Sequence, residues 1–344
     1  MKVLKKHESP EMADVREIND YQSASRRVEE HIKLHIGENF ELDDMCRWVC
    51  AVSPQGRKWV ATRLGELVGQ QVLEKSGAYR KALYKYVDRT KKIINWTVAN
   101  ANDELPIAWP KAHGFNGFDD NSTFGFDGHI TVRPGDLIVV SGVSNMGKSV
   151  FCRNFLAENL PIWSGLIQMM VSEYAPGRFK STINRMQWVD FCYTDGTPRF
   201  ELIERHADWK YAIEPDWINI IDWIGLDDAF YKIGNVMEGI QEQLSGGIAV
   251  VVLQKNEGKS LGMGGTFSEH RASVYFNIDK DLLTVRKVKE YKSGFNPNGA
   301  MYGYSIVNSG AEYASIRPVK RCSKCVKWAN PTCKECEGKG YVDR

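Results

Sequence analysis

The sequence lacks the features of an exported or membrane-embedded protein. The first residues, MKVLKKHESPEM, are rich in charge where a secretory signal needs an apolar stretch. No later apolar run is long enough to cross a bilayer. We therefore expect an intracellular, cytoplasmic protein that does not associate with membranes.

The chain also lacks a strong net charge, internal repeats and low-complexity tracts. Lys and Arg number 45 against 43 Asp and Glu, and the formal net charge is only +2. Such a balance does not by itself indicate a polyanionic partner, so any case for nucleic acid must come from local charge. With 344 residues, of which 43% are hydrophobic, the chain can form two or three domains.

Cysteines are sparse outside the C-terminal region, where four of the eight form the pattern Cys322-x2-Cys325-x7-Cys333-x2-Cys336. Each CxxC pair can place two thiolates on one ion, and four thiolates close a tetrahedral Zn²⁺ site. So short a segment has too little apolar surface to fold alone, so the metal would supply most of its stability. A redox role for the pairs is the alternative, which an intracellular chain disfavours. Basic residues surround the cysteines and suit contact with either DNA or a protein: Lys320, Arg321, Lys324, Lys327, Lys334 and Lys339.

Composition and periodicity divide the chain into five parts. Residues 1–24 are polar and aperiodic, which predicts a flexible tail. Residues 25–94 read as helices over Ser25–Ile36, Glu41–Val52 and Gln55–Leu73, followed by a strand pair after Ser76-Gly77, an order that resembles a winged helix. Residues 95–130 are turn-rich, as in a linker or strap. Residues 131–319 alternate apolar strands with helices and predict an α/β domain with a mostly parallel sheet, and residues 320–344 form the zinc module.

A phosphate-binding motif follows the first strand of the α/β part. Leu137 to Val140 is an apolar run, and Gly142 to Ser149 matches GxxxxGK[ST] directly before a helical segment. The glycines let backbone N–H groups surround a phosphate, Lys148 reaches the β- and γ-oxygens, and the Ser149 hydroxyl is a Mg²⁺ ligand. We expect nucleotide contacts from Gly142, Val143, Ser144, Asn145, Met146, Gly147, Lys148, Ser149 and Val150.

Three other strand ends supply polar residues. Asn219 to Asp222 ends in a carboxylate suited to Mg²⁺, but Trp223 follows it, so the carboxylate that activates water must come from elsewhere. The apolar run Leu166–Val171 leads to Glu173, which would position and deprotonate the water at the same edge of the sheet. The alternative for Glu173 is a solvated surface acid that caps a helix. Gly247 to Leu253 leads to Gln254, which can sense the γ-phosphate.

The segments GDLIVVSGVSNMGKS, VSEY, NIIDWIG, VVVLQK and GGTFSEHRA, in this order, resemble the RecA-like core of DnaB-type helicases and of phage primase-helicases. They are most similar to phage and mobile-element ATPases that join such a core to an N-terminal winged helix. The resemblance implies that the chain hydrolyses ATP with Mg²⁺ at the interfaces of a homo-oligomer, for example a hexamer. It also implies that the protein is encoded by a bacterium or by a phage that infects one. It also implies a basic residue acting on the neighbouring subunit's γ-phosphate, for which Lys289 and Lys292 are candidates, with Arg286 as a further one.

Local charge indicates single- or double-stranded DNA as the partner. In the resembling class, the glycine-rich loop after Gln254, here NEGKSLGMGG, contacts DNA, although such a loop can also be merely solvated. In the candidate winged helix, basic residues flank the apolar stripe of Val60, Leu64 and Leu67, with others, including Lys85, on the wing, and Trp48 and Trp59 fit the core. A docking module for proteins is the alternative. The residues expected to bind DNA are Arg57, Lys58, Arg63, Arg80, Lys81, Lys255 and Lys259.

Together these features predict a DNA-binding ATPase with a helicase-like role in replication or recombination. A non-translocating ATP switch, acting as a loader or regulator, is the alternative. Small-molecule phosphotransfer is a third reading, disfavoured because no lid-like substrate segment is evident.

Overall fold

The computed structural model describes residues 17–34, 39–77, 82–87, 96–114, 119–172, 175–225, 232–257, 259–292, 294–325 and 332–344. The chain divides into two units, Met1–Ala99 and Asn100–Arg344. Four residues assigned roles from the sequence lie outside the described ranges: Glu173, Arg80, Lys81 and Lys327. Within those ranges, no helix has both the length and the apolar character needed to cross a membrane.

The first unit combines three helices with a small antiparallel sheet. Its elements in chain order are α1 (Tyr21–Leu34), β1 (Asn39–Glu41), α2 (Leu42–Trp48), α3 (Pro54–Gly69), β2 (Leu73–Ser76) and β3 (Leu83–Tyr86), and the strand order is β1-β3-β2. Helix α3 begins sharply because Ser53 accepts a hydrogen bond from the Gly56 amide at 3.1 Å and Pro54 occupies the first turn. The predicted helix, helix, hairpin order is present, and β1 is an additional strand that the sequence pattern did not indicate.

Ordered packing in this unit begins earlier than the predicted tail allows. Ile18 is buried, and the Glu17 carboxylate accepts a hydrogen bond from the Ser53 amide at 2.8 Å. Helix α1 starts at Tyr21 rather than near Ser25. Residues 17–24, which the sequence assigned to a flexible tail, therefore include buried and hydrogen-bonded side chains in this structure.

The second unit is built on a ten-stranded sheet. Its elements are β4 (Leu137–Gly142), α4 (Lys148–Trp163), β5 (Ile167–Val171), α5 (Pro176–Ile183), β6 (Glu201–Glu204), β7 (Ile218–Asp222), α6 (Ile233–Gln241), β8 (Ile248–Gln254), α7 (Thr266–Arg271), β9 (Val274–Asp279), β10 (Leu282–Val288), β11 (Met301–Val307), β12 (Glu312–Arg321) and β13 (Tyr341–Asp343). The strand order is β13-β12-β11-β10-β9-β4-β8-β7-β5-β6. This confirms the predicted α/β class.

The sheet has a parallel and an antiparallel part. Six neighbouring strands are parallel to one another, in the order β6, β5, β7, β8, β4 and β9. The remaining strands, β10 to β13, are joined to β9 and to one another by antiparallel pairings. Every residue of β4 is buried, since α-helical crossovers cover both faces of a parallel sheet. Because parallel strands point the same way, the loops after β4, β5, β7 and β8 all emerge at one edge of the sheet.

The segment before β4 packs as a strap on the core. Trp109 and Phe126 are buried against Phe155 and Phe276, and the Asn159 side chain bonds both backbone polar groups of Ala108 at 2.8–3.0 Å. At the other end of the unit, β13 pairs with β12, so the cysteine-rich segment extends the large sheet. The predicted boundary at residue 320 thus falls within β12.

Candidate nucleotide-binding site

The loop between β4 and α4 needs glycine at both ends of the motif. Gly147 has a φ of +100°, and a Cβ there would lie 2.8 Å from the Ile306 Cδ1 atom. A Cβ on Gly142 would lie 2.7 Å from the Ile278 carbonyl oxygen. The positive φ disfavours a side chain at Gly147, where the Ile306 side chain would also have to move, and contact with backbone excludes one at Gly142.

Two oxygen ligands suited to Mg²⁺ meet beside this loop. The Ser149 hydroxyl donates a hydrogen bond to the Asp222 carboxylate at 3.1 Å, and Asp222 is buried. Two adjacent ligands of an octahedral Mg²⁺ at about 2.1 Å would lie about 3 Å apart, so this pair fits the ion. Beside them, the Lys148 ammonium donates to the Val143 carbonyl at 2.7 Å and lies within the loop.

Strand register places the other predicted residues at the same edge. Gln254, at the end of β8, is in register with Gly142 at the end of β4. Val171, the last residue of β5, is in register with Asp222. Glu173 itself lies outside the described residues; in the sequence it follows Val171, the last residue of β5, by two positions.

A cavity of about 390 Å³ adjoins the loop and includes residues that sequence reasoning missed. Its lining joins the motif to α5 and to the β11–β12 turn: Asn145, Gly147, Lys148, Ser149, Val150, Arg153, Arg178, Thr182, Ile306, Ser309 and Gly310. A helix that follows β5 must begin at the phosphate edge, so Arg178 in its first turn could have been noticed from the predicted topology. The β11–β12 turn gave no comparable signal.

Lys255, predicted to contact DNA, is buried and paired within its own unit. Its side chain is only 1% exposed, and its ammonium lies 2.8 Å from an Asp279 carboxylate oxygen. A buried, paired ammonium cannot reach a phosphate on an external strand. Lys259, in the same loop, is exposed.

Lys289, one of the candidate trans-acting residues, lies near the first residue of β4, at the end of the strand away from the phosphate loop. The Lys289 amide donates to the Ser273 carbonyl, and the Ser273 amide donates to the carbonyl of Leu137, the first residue of β4. The Lys292 ammonium is 2.6 Å from a Glu104 carboxylate oxygen. Arg286 is 3.1 Å from Glu269. Six residues of β4, about 20 Å of strand, therefore separate Lys289 from the phosphate loop of its own chain.

The basic residues of the first unit differ in exposure. Arg63 is 15% exposed and its guanidinium lies 2.7 Å from both Glu29 and Glu66, so it joins α1 to α3. Arg63, predicted to bind DNA, has its charge neutralised within the unit by these two carboxylates. Arg57 is partly exposed and paired with Asp43, and Lys58 and Lys85 are exposed.

The four C-terminal cysteines form one cluster. All four Sγ atoms lie within 4.8 Å of one another, with 3.8 Å between those of Cys322 and Cys333 and 3.6 Å between those of Cys325 and Cys336. Tetrahedral Zn²⁺ with Zn–S bonds of about 2.3 Å would place its sulfur ligands about 3.8 Å apart. The donor set and spacing therefore fit Zn²⁺.

No protein-family model matches the chain, and no curated protein matches it. Among solved structures, the chain is similar to a KaiC-like protein from the hyperthermophilic archaeon Pyrococcus horikoshii OT3. The sequence identity is 15%, the TM-score is 0.43, and the match covers 62% of this chain and 100% of that one. The function is therefore inferred from the geometry of the site.

Proposed function

We propose that this chain is a RecA-like ATPase that binds DNA, hydrolyses ATP between subunits, and has a helicase-like role in replication or recombination. The observation that carries the ATPase assignment is the hydrogen bond between Ser149 and Asp222 beside the glycine-bounded loop. The strand order supports the RecA-like interpretation, because β8 lies between β4 and β7 and brings Gln254 to the same edge.

Each residue at this edge has a defined task in the proposed reaction. Backbone amides of the loop and the Lys148 ammonium bind the β- and γ-phosphates. Mg²⁺, when bound, would neutralise charge on these phosphates, with Ser149 and Asp222 holding it. Glu173 would orient the attacking water and accept its proton, and Gln254 would contact the γ-phosphate.

Binding of DNA is proposed from the exposed basic residues. Lys58 on α3 and Lys85 on β3 are exposed and available for phosphate contacts in a unit whose helix and strand order is that of a winged helix. Arg57 would join them by exchanging its partner Asp43 for a phosphate. Arg80 and Lys81 would extend this set along the wing, and Lys259 would contact DNA from the second unit. Completion of the site by Lys289 or Lys292 of a neighbouring subunit is part of the same proposal.

The decisive experiment is ATP turnover with and without single- and double-stranded DNA. We expect DNA to stimulate the wild type, Lys148→Ala to abolish turnover and ATP binding, and Glu173→Gln to abolish turnover while ATP still binds. Lys180→Ala, on the exposed face of α5, is the matched control and keeps wild-type turnover. Absence of ATP turnover in the wild type would refute the ATPase assignment, and equal rates with and without DNA would refute the motor.

A non-translocating ATP switch is the second candidate. It is favoured by the burial of Lys255, which leaves Lys259 as the remaining lysine predicted to bind DNA in the loop after β8. Strand displacement on a forked duplex separates the two candidates: a motor displaces the strand in an ATP-dependent manner, whereas a switch binds the fork without opening it.

A further inference from the structure

The turn between β9 and β10, residues Asp279 to Asp281, receives side chains from β11, from β13 and from the residue that follows β8. The Lys255 ammonium, after β8, is 2.8 Å from the Asp279 carboxylate. The Tyr304 hydroxyl, on β11, donates toward the Asp279 carbonyl at 3.3 Å. The Tyr341 hydroxyl, on β13, donates to the Asp281 carbonyl at 3.0 Å. Three side chains from distant parts of the sequence therefore hold this turn in position.

Tyr304 also connects the turn to the phosphate loop. Its hydroxyl lies 3.4 Å from the Met146 carbonyl, and its amide donates to the Asp281 carbonyl at 3.2 Å. Tyr304 is buried, and burial raises the pKa of its hydroxyl far above the usual value, so this group remains a hydrogen-bond donor. Two residues further along β11, Ile306 packs on Gly147. Strand β11 thus supports one side of the loop.

Tyr341 connects the same turn to the cysteine cluster. The residue before it, Gly340, donates its amide to the Cys336 sulfur at 3.2 Å and accepts from the Cys322 amide at 3.0 Å. Strand β13 has only three residues, which form three register pairs with β12. So short a strand has little stability of its own, and the cluster anchors it.

We propose that the cysteine cluster, when it holds its metal, positions the phosphate loop through Tyr341, the β9–β10 turn and Tyr304. Metal binding and nucleotide binding then stabilise each other, because a coupling between two sites acts equally in both directions. This inference rests on the proposed function in that it requires the loop to bind a nucleoside triphosphate. Tyr341 and Tyr304 are positioning residues, and neither is placed in contact with the nucleotide.

The test measures binding of a non-hydrolysable ATP analogue to the full chain, loaded with Zn²⁺ and stripped of it. We expect stripping to weaken binding to the wild type by about three- to tenfold, the range of one net hydrogen bond. Zinc-loaded Tyr341→Phe should show a similar loss with no further loss on stripping. Conversely, the analogue should slow Zn²⁺ release to a chelator in the wild type but not in Tyr341→Phe.

Tyr193→Phe is the matched control, because it removes a hydroxyl bonded to Ser164 at 2.9 Å, and it should keep the wild-type response to zinc. Tyr304→Phe is the second variant, and it should weaken analogue binding and remove the response to zinc while retaining the metal. The proposal is overturned if Tyr341→Phe and Tyr304→Phe both bind the analogue as tightly as the wild type does. It is also overturned if analogue binding by both variants depends on zinc as strongly as binding by the wild type. A zinc-loaded wild type that binds no analogue would instead refute the proposed function.

Discussion

The Ser149 hydroxyl and the Asp222 carboxylate, which are 73 residues apart in sequence, are joined by a hydrogen bond of 3.1 Å. Ser149 stands in the first turn of α4, and Asp222 ends β7. Because β8 lies between β4 and β7, the two side chains approach each other across the end of the intervening strand.

Asp222→Asn should raise the Mg²⁺ concentration that gives half-maximal ATP turnover by about 10- to 100-fold, since the neutral amide holds the ion and its water less strongly. Titration of turnover with MgCl₂ at fixed ATP measures the change. Asp195→Asn, in an exposed turn, serves as the control. An unchanged Mg²⁺ requirement would show that Asp222 does not hold the ion.

Glu173→Gln should lower kcat by about 10²- to 10⁴-fold, the usual contribution of a general base. Glu204 ends the neighbouring strand β6, in register with Val171, and Glu204→Gln is the matched control with little effect. Single-turnover hydrolysis checks both variants. Equal losses in the two variants would indicate a general effect of charge at this edge rather than proton transfer.

Gly147→Ala should weaken ATP binding because it introduces both an unfavourable φ and a contact with Ile306. Ile306→Val shortens the contacting side chain, so the double variant relieves the contact but not the backbone strain. We expect the double variant to recover only part of the affinity, as measured by equilibrium binding of a fluorescent ATP analogue. Full recovery would mean that packing alone requires the glycine.

Asp279→Ala should destabilise the second unit more than Lys255→Met does. Removing the carboxylate leaves a buried ammonium without its partner, which costs roughly 3 kcal/mol, whereas methionine keeps the apolar stem and removes the charge at a cost of about 1 kcal/mol. Urea denaturation of both variants measures the difference. A larger loss of stability in Lys255→Met than in Asp279→Ala would mean that the Lys255 ammonium is hydrated and that its ion pair with Asp279 lies at the surface.

Arg63→Ala should destabilise the first unit by about 1–2 kcal/mol, because Arg63 is tied by charged hydrogen bonds to Glu29 and Glu66. Lys58→Ala, five residues earlier on the same helix, should leave stability unchanged and weaken binding of DNA. Hydrogen exchange of α1 and α3 peptides and titration with a DNA duplex separate the two effects. Similar exchange rates in both variants would argue against the structural role of Arg63.

Local patterns predicted the parts of the site that depend on neighbouring residues in sequence. The motif from Gly142 to Ser149 requires a strand before it and a helix after it, and both are readable from apolar periodicity. The spacing of the four C-terminal cysteines likewise predicted that their sulfur atoms lie close together. Asp222 could be placed because an apolar run that ends in an acid indicates the end of a buried strand.

The burial of charged side chains could not be predicted in this way. Lys255 and Arg63 look like exposed basic residues in sequence, but their partners, Asp279 and Glu29, are 24 and 34 residues away. Only the assembled fold shows that these charges face inward. The antiparallel part of the sheet was also missed, although β10 and β12 alternate buried and less buried residues and lack the continuous apolar runs of β4 and β8.

The distance between Lys289 and Gly147 means that, in the proposed mechanism, two copies of the chain must contribute to each site. Lys289 lies near the first residue of β4, to which Ser273 links it, and Gly147 lies in the loop after the last residue of β4, so one copy of the chain cannot bring both to the same triphosphate. In the proposed mechanism, specific activity would therefore depend on protein concentration and fall on dilution, even with ATP in excess. Mixing Lys148→Ala chains with Lys289→Ala chains would then restore activity that neither variant has alone.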